Sequence, residues 1–294
     1  MAQHVTRSAG EGLEGSCSPE RTPGSGASGW LRSSGPEGGV ERIEAWFAGQ
    51  AFAKHRHDTY AIGVTLAGVQ AFDYRGAALA STPGEVVVLH PDEIHDGRAG
   101  GEDGFGYRLI YVAPRLIAEA QRVILGRAAA LPFASEAVSR NRRLARAVAA
   151  AFRGPPEPLA QDGLVLELAR GLTGADPCSP RAAPLRRLDG PAVERARQFL
   201  DAETGRVVRS VELEAVTGLT RFELARHFQA VCGTSPYRYS LMRRLDGARR
   251  RIGATRSLAD LAAATGFADQ AHFTRLFKAA FGLTPALYRG LLNR

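Results

Sequence analysis

The sequence predicts an α+β chain of two domains. An N-terminal β-barrel or sandwich is followed by trailing helices, and a C-terminal all-α domain is built on two tandem helix-turn-helix units. Three observations predict this. Within residues 208–289, Thr220, Leu224, Arg226, Phe228, Gly233, Ser235, Pro236 and Tyr239 recur 49 residues on as Asp269, Phe273, Arg275, Phe277, Gly282, Thr284, Pro285 and Tyr288, and an internal repeat fixes architecture. Residues 40–112 are short β-like runs broken by glycine turns, the spacing of a small barrel or sandwich. The net charge of +8 is unevenly placed: residues 186–294 carry 19 Lys/Arg against 10 Asp/Glu, leaving 19 against 20 in the first 185. A basic excess confined to one half suits a phosphate-backbone partner.

In chain order, residues 1–38 are dominated by Gly, Ser, Glu and Pro. With little to bury they are expected to be a disordered tail, Trp30 and Leu31 included. The barrel is expected over 39–113, with strands at 43–52, 60–66, 69–74, 85–89 and 107–112 and turns at Ala67-Gly68, Arg75-Gly76, Pro83-Gly84 and Gly100-Gly101. His55, His57 and His95 are polar residues on strands otherwise built of apolar and small side chains. Tyr60 follows the first pair, and Tyr74 and Arg75 sit in a neighbouring hairpin. Polar side chains converging inside a small barrel mark a ligand pocket, because unpaired buried polar groups are costly. The expected ligand is a small polar or anionic metabolite, with sugar, amino acid and carboxylate left open. The bland alternative is that these histidines are structural. The region has no nucleophile beside a base and no phosphate-cradling glycine loop, so no catalysis is expected.

Residues 114–172 form a helical segment. Leu116, Ile117, Ala120, Val123 and Ile124 make one stripe, Leu144, Ala147, Val148 and Ala151 a second, and Leu159, Leu164, Leu166, Leu168 and Leu172 a third. Such stripes either cover the barrel or meet a second copy of the chain. Residues 173–190, rich in Pro, Ala and Arg, read as a linker. Pro191 suits the first turn of a helix over 192–201, opening a domain at 191–294.

Each repeat then reads as helix, glycine turn, helix. Ser210 and Ser257 are candidate N-caps. Thr217-Gly218 and Thr265-Gly266 stop the first helices. Thr220 with Glu223 forms a capping box, and Asp269 is the equivalent cap. Leu224, Phe228 and Val231 point inward, as do Phe273, Phe277 and Ala280, leaving Arg221, Phe222, Ala225 and Arg226 outward on one unit and Gln270, Ala271, Thr274 and Arg275 on the other. That is the geometry that enters a major groove. Between the units one helix is expected over 238–254, with Leu241, Leu245, Ala248 and Ile252 inward and Arg243, Arg244, Arg249, Arg250 and Arg251 largely elsewhere on its surface. Cys17, Cys178 and Cys232 show no disulfide or zinc spacing, and no apolar run of about 18 residues is present, so no membrane span is expected.

The string GFADQAHFTRLFKAAFGLTPALYR, with LTRFELARHF, GTSPYRY and RRLDGAR before it, resembles the AraC/XylS family of transcription regulators over roughly the last hundred residues. HRHDTYAIGVTLAGVQAFDYRG and PGEVVVLHPDEIHDG resemble the cupin-like sensor domain of AraC-type regulators. The resemblance implies a cupin-like barrel and a ligand-responsive, sequence-specific activator acting as a homodimer on double-stranded DNA with RNA polymerase, in the cytoplasm at the nucleoid. It implies DNA contacts from Thr220, Arg221, Phe222, Ala225 and Arg226 in the first unit and Gln270, Ala271, His272 and Arg275 in the second. Ala225 and Ala271 stand where many members carry longer polar residues, so base reading there is expected to be weak or limited to thymine methyls. His55-x-His57, His90 and His95 stand where cupins place metal ligands, but the usual glutamate is absent, so no metal and no cofactor are expected. A cupin metalloenzyme fused to a DNA-binding module and a ligand-independent DNA binder are the alternatives.

Overall fold

The computed structural model describes residues 29–184 and 188–292. These divide into two compact units, one of residues 29–114 and 134–148 and one of 115–133 and 149–292.

The first unit is two antiparallel sheets. The six-stranded sheet runs β1 (Gly29–Ser33), β2 (Val40–Phe47), β9 (Phe105–Val112), β4 (Tyr60–Gly68), β7 (Val86–Leu89), β10 (Val138–Ser139). The four-stranded sheet runs β3 (Gln50–His55), β8 (His95–Ala99), β5 (Gln70–Tyr74), β6 (Ala77–Ser81). Its core includes Ile43, Phe47, Phe72, Val87, Phe105 and Tyr107. Alternate inward residues of both sheets meet there, as in any sandwich.

Three local expectations are corrected. The single strand expected over 43–52 is two, β2 and β3, which turn at Ala48-Gly49 and join different sheets. Strands β6 and β8 are additional; AALAS and HDGRA lack the β-branched residues that advertise a strand. Gly29–Ser33, expected in the disordered tail, pairs with β2, Trp30 opposite Trp46. The rest of that tail, residues 1–28, lies outside the described residues, as do 185–187 of the expected linker.

The helical segment is divided between the units. β10 and most of α2 (Arg142–Ala151) belong with the sheets, whereas α1 (Pro114–Leu125) and α3 (Pro158–Ala175) belong with the helical unit. Leu159 of α3 packs with Val193, Leu200, Leu213, Leu224 and Phe228, so α3 contributes to the core of the first repeat. The stripe residues Leu116, Ile117, Ala120 and Ile124 of α1, and Leu164, Leu166, Leu168 and Leu172 of α3, are buried within the chain.

The domain itself has seven helices among the described residues: α4 (Gly190–Ala202), α5 (Ser210–Thr217), α6 (Arg221–Cys232), α7 (Pro236–Arg251), α8 (Leu258–Ala264), α9 (Gln270–Phe281) and α10 (Pro285–Leu292). The caps explain their limits. Thr220 accepts from the Glu223 N–H and Asp269 from the His272 N–H, starting α6 and α9. Gly218, at φ 75°, ends α5 in the left-handed region that glycine enters without strain. Ser257 caps α8 as expected. Ser210 does not cap α5: Arg209 holds the cap position, and the Ser210 hydroxyl donates to the Asp162 carboxylate of α3 instead. On α7, Leu241, Leu245, Ala248 and Ile252 are buried, but so is Arg244, which the helical pattern put on the surface. Its guanidinium donates to the carbonyls of Thr265 and Gly266 and to Glu157 Oε2 at 2.7 Å, and lies 4.6 Å over the Phe267 ring. A buried charge is tolerated when it is paired and hydrogen-bonded in this way.

Candidate sensor cluster and nucleic-acid interface

Two strands of the small sheet bring the sensor histidines together. His55 on β3 stands opposite His95 on β8, and His95 opposite Tyr74 on β5. His57 follows β3 and meets Tyr111 of β9, so the cluster bridges the sheets, with ring centroids 4.9 Å apart. The His55–His95, His57–His95 and His55–His57 centroids lie 4.4, 4.9 and 6.3 Å apart.

Each ring is oriented by its own backbone. Nδ1 of His55 faces the Ala53 carbonyl at 2.8 Å, that of His57 the Thr59 carbonyl at 2.8 Å, and that of His95 the Glu93 carbonyl at 2.9 Å. A carbonyl only accepts, so Nδ1 carries the proton in each case, and in a neutral ring Nε2 is left as an acceptor. Burial pushes His57 and His95 down to about 4, so both are neutral near pH 7. His57 Nε2 is buried without a hydrogen-bond partner. Among the described residues no group of three or more His, Cys, Asp or Glu is placed to hold a metal ion.

The other expected ligand residues divide. Tyr60, 1% exposed, packs edge-on against His90, with ring centroids 5.6 Å apart. Tyr74 is locked by His90: the Ala134 N–H donates to His90 Nε2 at 3.1 Å, so Nδ1 donates to the Tyr74 hydroxyl at 2.9 Å. Burial raises the Tyr74 phenol above its ordinary value. Arg75 is paired with Glu93 at 3.0 Å. Tyr74, Arg75 and His95 share an open cleft of about 630 Å³ with Lys54, Arg56 and Glu93. Tyr111 and the cleft residues Lys54, Arg56 and Glu93 were not expected, although Arg56 and Glu93 lie within the two strings that carry the sensor resemblance and Lys54 adjoins the first.

The two recognition helices are presented differently. On α9, Gln270, Ala271 and Arg275 are exposed, but His272, expected to face DNA, is 2% exposed. It packs on Phe267 at 5.7 Å, and Gly154 lies so close that a Cβ there would be 3.2 Å from His272 Nε2. On α6, Phe222 and Ala225 are 2% and 7% exposed. Phe222 borders a cleft of about 620 Å³ with Ala118, Glu119 and Val123 of α1. Ala225 borders Leu159 and Asp162 of α3. Arg221 Nη2 donates to Glu119 Oε2 at 2.8 Å, and Arg226 Nη1 to the Val123 carbonyl at 2.6 Å. The Thr220 hydroxyl is committed to its capping box with Glu223.

Family comparisons match both halves. The family described as AraC-like ligand binding domain matches residues 37–169, and a helix-turn-helix domain family matches residues 213–290. The chain belongs to the AraC-type transcription regulators. It is 27% identical over 245 residues to the uncharacterized HTH-type transcriptional regulator YbfI of Bacillus subtilis, covering 78% of this chain and 85% of that protein. It is 37% identical over 79 residues to the transcriptional activator NphR of a Rhodococcus species, covering 26% of this chain and 23% of that protein. A solved AraC-type DNA-binding regulator from Chromobacterium violaceum is 28% identical over 34% of this chain and 90% of that one, at a TM-score of 0.33. In this AraC-type chain the sensor carries the histidine cluster and the helix-turn-helix domain carries the basic excess. Among the described residues no helix is long and apolar enough to cross a membrane. Also missing from the sequence reading are the residues that pack on the helix-turn-helix repeats: Glu119, Glu157 and Asp162. No local pattern marks them, because each acts on a partner at least 48 residues away.

Proposed function

We propose that this AraC-type regulator is a ligand-responsive, sequence-specific transcription activator that binds double-stranded DNA through α6 and α9. Gln270, Ala271 and Arg275 of α9 and Arg221 and Arg226 of α6 are its reading residues. His272, Phe222 and Ala225 act from within the fold to hold those helices. Activation is supported by the likeness to a relative named as an activator, and RNA polymerase and a cytoplasmic, nucleoid setting follow from that role. The homodimer would form through residues other than the stripes of α1 and α3, which are buried within the chain.

The observation that carries ligand sensing is the buried, unpartnered Nε2 of His57 beside His95 and His55. Neutral imidazoles presenting acceptors suit a ligand rich in hydroxyl or ammonium donors better than a carboxylate. Arg75, which would attract an anion, is already paired with Glu93. A thermal-shift screen of neutral polyols, amines and carboxylates on the full chain tests this. A matching donor ligand should stabilise the wild type by about 2.7 kcal/mol at a hundredfold excess over Kd. His57→Ala should lose the shift. A ligand that stabilises wild type and His57→Ala equally would place the pocket elsewhere.

A further inference from the structure

The repeat supplies its own reference. Arg226 and Arg275 hold the same repeat position, and so do Arg221 and Gln270, and Phe222 and Ala271. On α9 those positions are exposed. On α6 they are covered, and the cover is polar as well as steric. Glu119 Oε2 accepts from Arg221 at 2.8 Å, with Asp162 at 3.8 Å from the same guanidinium. Arg226 donates to the carbonyls of Val123 and Ala183. An anionic oxygen and a carbonyl acceptor are the groups that groove-facing arginines otherwise find on phosphates and on guanine O6.

We propose that α1 is an autoinhibitory clamp on the first recognition helix: Glu119 and the Val123 carbonyl occupy Arg221 and Arg226 in place of DNA, so this state engages DNA through α9 alone. The inference rests on the DNA-binding reading of the tandem units. The clamp is releasable, because the Glu119–Arg221 pair is partly solvated, at 42% and 31% side-chain exposure, and such pairs are individually weak. It is also covalently close to the sensor. β9, which sets Tyr111 against His57, ends at Val112, and α1 begins at Pro114. A ligand that binds better to a sensor state with β9 repositioned would shift the clamp equilibrium by that difference in affinity.

The test uses the full chain and random duplexes of about 30 bp, long enough for two groove segments ~10 bp apart, enriched separately on wild type and on Glu119→Arg. On its enriched duplex the wild type should protect one segment. Arg275→Ala should abolish that protection. Glu119→Gln and Glu119→Arg should tighten binding at least about fivefold, the lower end of ordinary allosteric coupling. They should also extend protection to a second segment and make binding sensitive to Arg226→Ala. Asp260→Asn, at an exposed acid of α8, controls for the loss of one negative charge. Glu119→Gln changes no volume at a part-exposed site, so it decides the matter if Glu119→Arg folds poorly. Wild-type protection of both segments with equal losses from Arg226→Ala and Arg275→Ala would overturn the clamp. So would Glu119 variants that match Asp260→Asn. Enrichment by Glu119→Arg alone would be the clamp at its tightest. Enrichment by neither protein would overturn the DNA-binding reading itself.

Discussion

Glu157, at the N-cap of α3, places its carboxylate 2.7 Å from the guanidinium of Arg244 on α7, and both side chains are buried, at 9% and 1% exposure. The same guanidinium binds the carbonyls of Thr265 and Gly266, between α8 and α9. One arginine therefore ties α3, α7 and the second helix-turn-helix turn together. Removing one partner of a buried pair leaves the other charge without compensation. Glu157→Ala should cost about 3 kcal/mol, the lower end of that range because two carbonyls still hold Arg244. Denaturant unfolding would measure it, and a loss below half that would show the pair to be incidental. The same contact predicts that a fragment beginning at residue 149, which keeps Glu157 and Leu159, is more stable than one beginning at 187.

Gly68 and Gly104 stand back to back where β4 ends and β9 begins. Gly68 has φ 65°, and a Cβ on it would lie 1.9 Å from the Gly104 carbonyl oxygen. Both atoms belong to backbone, so neither can swing aside. Gly68→Ala should cost at least about 2 kcal/mol, combining left-handed strain with overpacking. Gly76, at φ 77° with nothing within 4 Å of a built Cβ, carries only the first cost. Gly76→Ala should lose about 1–2 kcal/mol. Equal melting temperatures for the two variants would contradict this packing.

On α9 the exposed Gln270 is the residue best suited to read an adenine edge by two hydrogen bonds. Gln270→Ala should weaken binding to the enriched duplex by about 1–3 kcal/mol and relax selection at a single base pair. The slope of log K against log salt should stay as it is, since no phosphate contact is lost. A changed salt slope with unaltered base preference would make Gln270 a backbone contact.

What could be read from the sequence was local. The caps at Thr220 and Asp269 and the stops at Gly218 and Gly266 each depend on neighbours within a turn, and the structure has them where the repeat put them. The histidine cluster was legible only in part: β3 ends at His55 and His57 follows it, so the rings meet through the pairing of β3 with β8 and not through alternation along one strand. Tertiary partners were not legible. The apolar stripe of α3 states that a face is buried, not that Leu159 meets Phe228. Ser210 had the chemistry of a cap, but a carboxylate 48 residues away took its hydroxyl. Phe222 was placed outward by helical phase, which separates neighbours by 100°, and His272 by the family resemblance alone; a boundary residue falls to whichever side gains a cover. The covers, Gly154 for one and the α1 cleft for the other, come from chain far off in sequence.

The buried ionisable groups predict opposite pH responses in the two units. In the sensor, burial lowers His57 and His95 to about 4 from 6.5. Between those values the unfolded chain binds more protons than the folded one, so sensor stability is present above pH 6.5 and is lost as pH falls toward 4. The loss is roughly 3 kcal/mol per imidazole before their mutual repulsion is counted. In the helical unit, burial raises Asp162 to about 6 from 3.8, against the Ser210 hydroxyl and Arg221, which pull it down. There the folded state binds the extra proton, so stability is present below pH 3.8 and is lost as pH rises through 6, by about 3 kcal/mol. Acidification from pH 6 to pH 4.5 should therefore loosen β8 and the His57 segment while tightening α3 against α5. Amide exchange measured separately over β8 and over α5 reads both slopes, after correction for the pH dependence of the chemical exchange rate. Asp162→Asn, which keeps an acceptor for Ser210 and has no proton to lose, should flatten the α5 slope and leave that of β8 unchanged. Parallel slopes in the two regions, or an α5 slope untouched by Asp162→Asn, would show that these groups do not control the response.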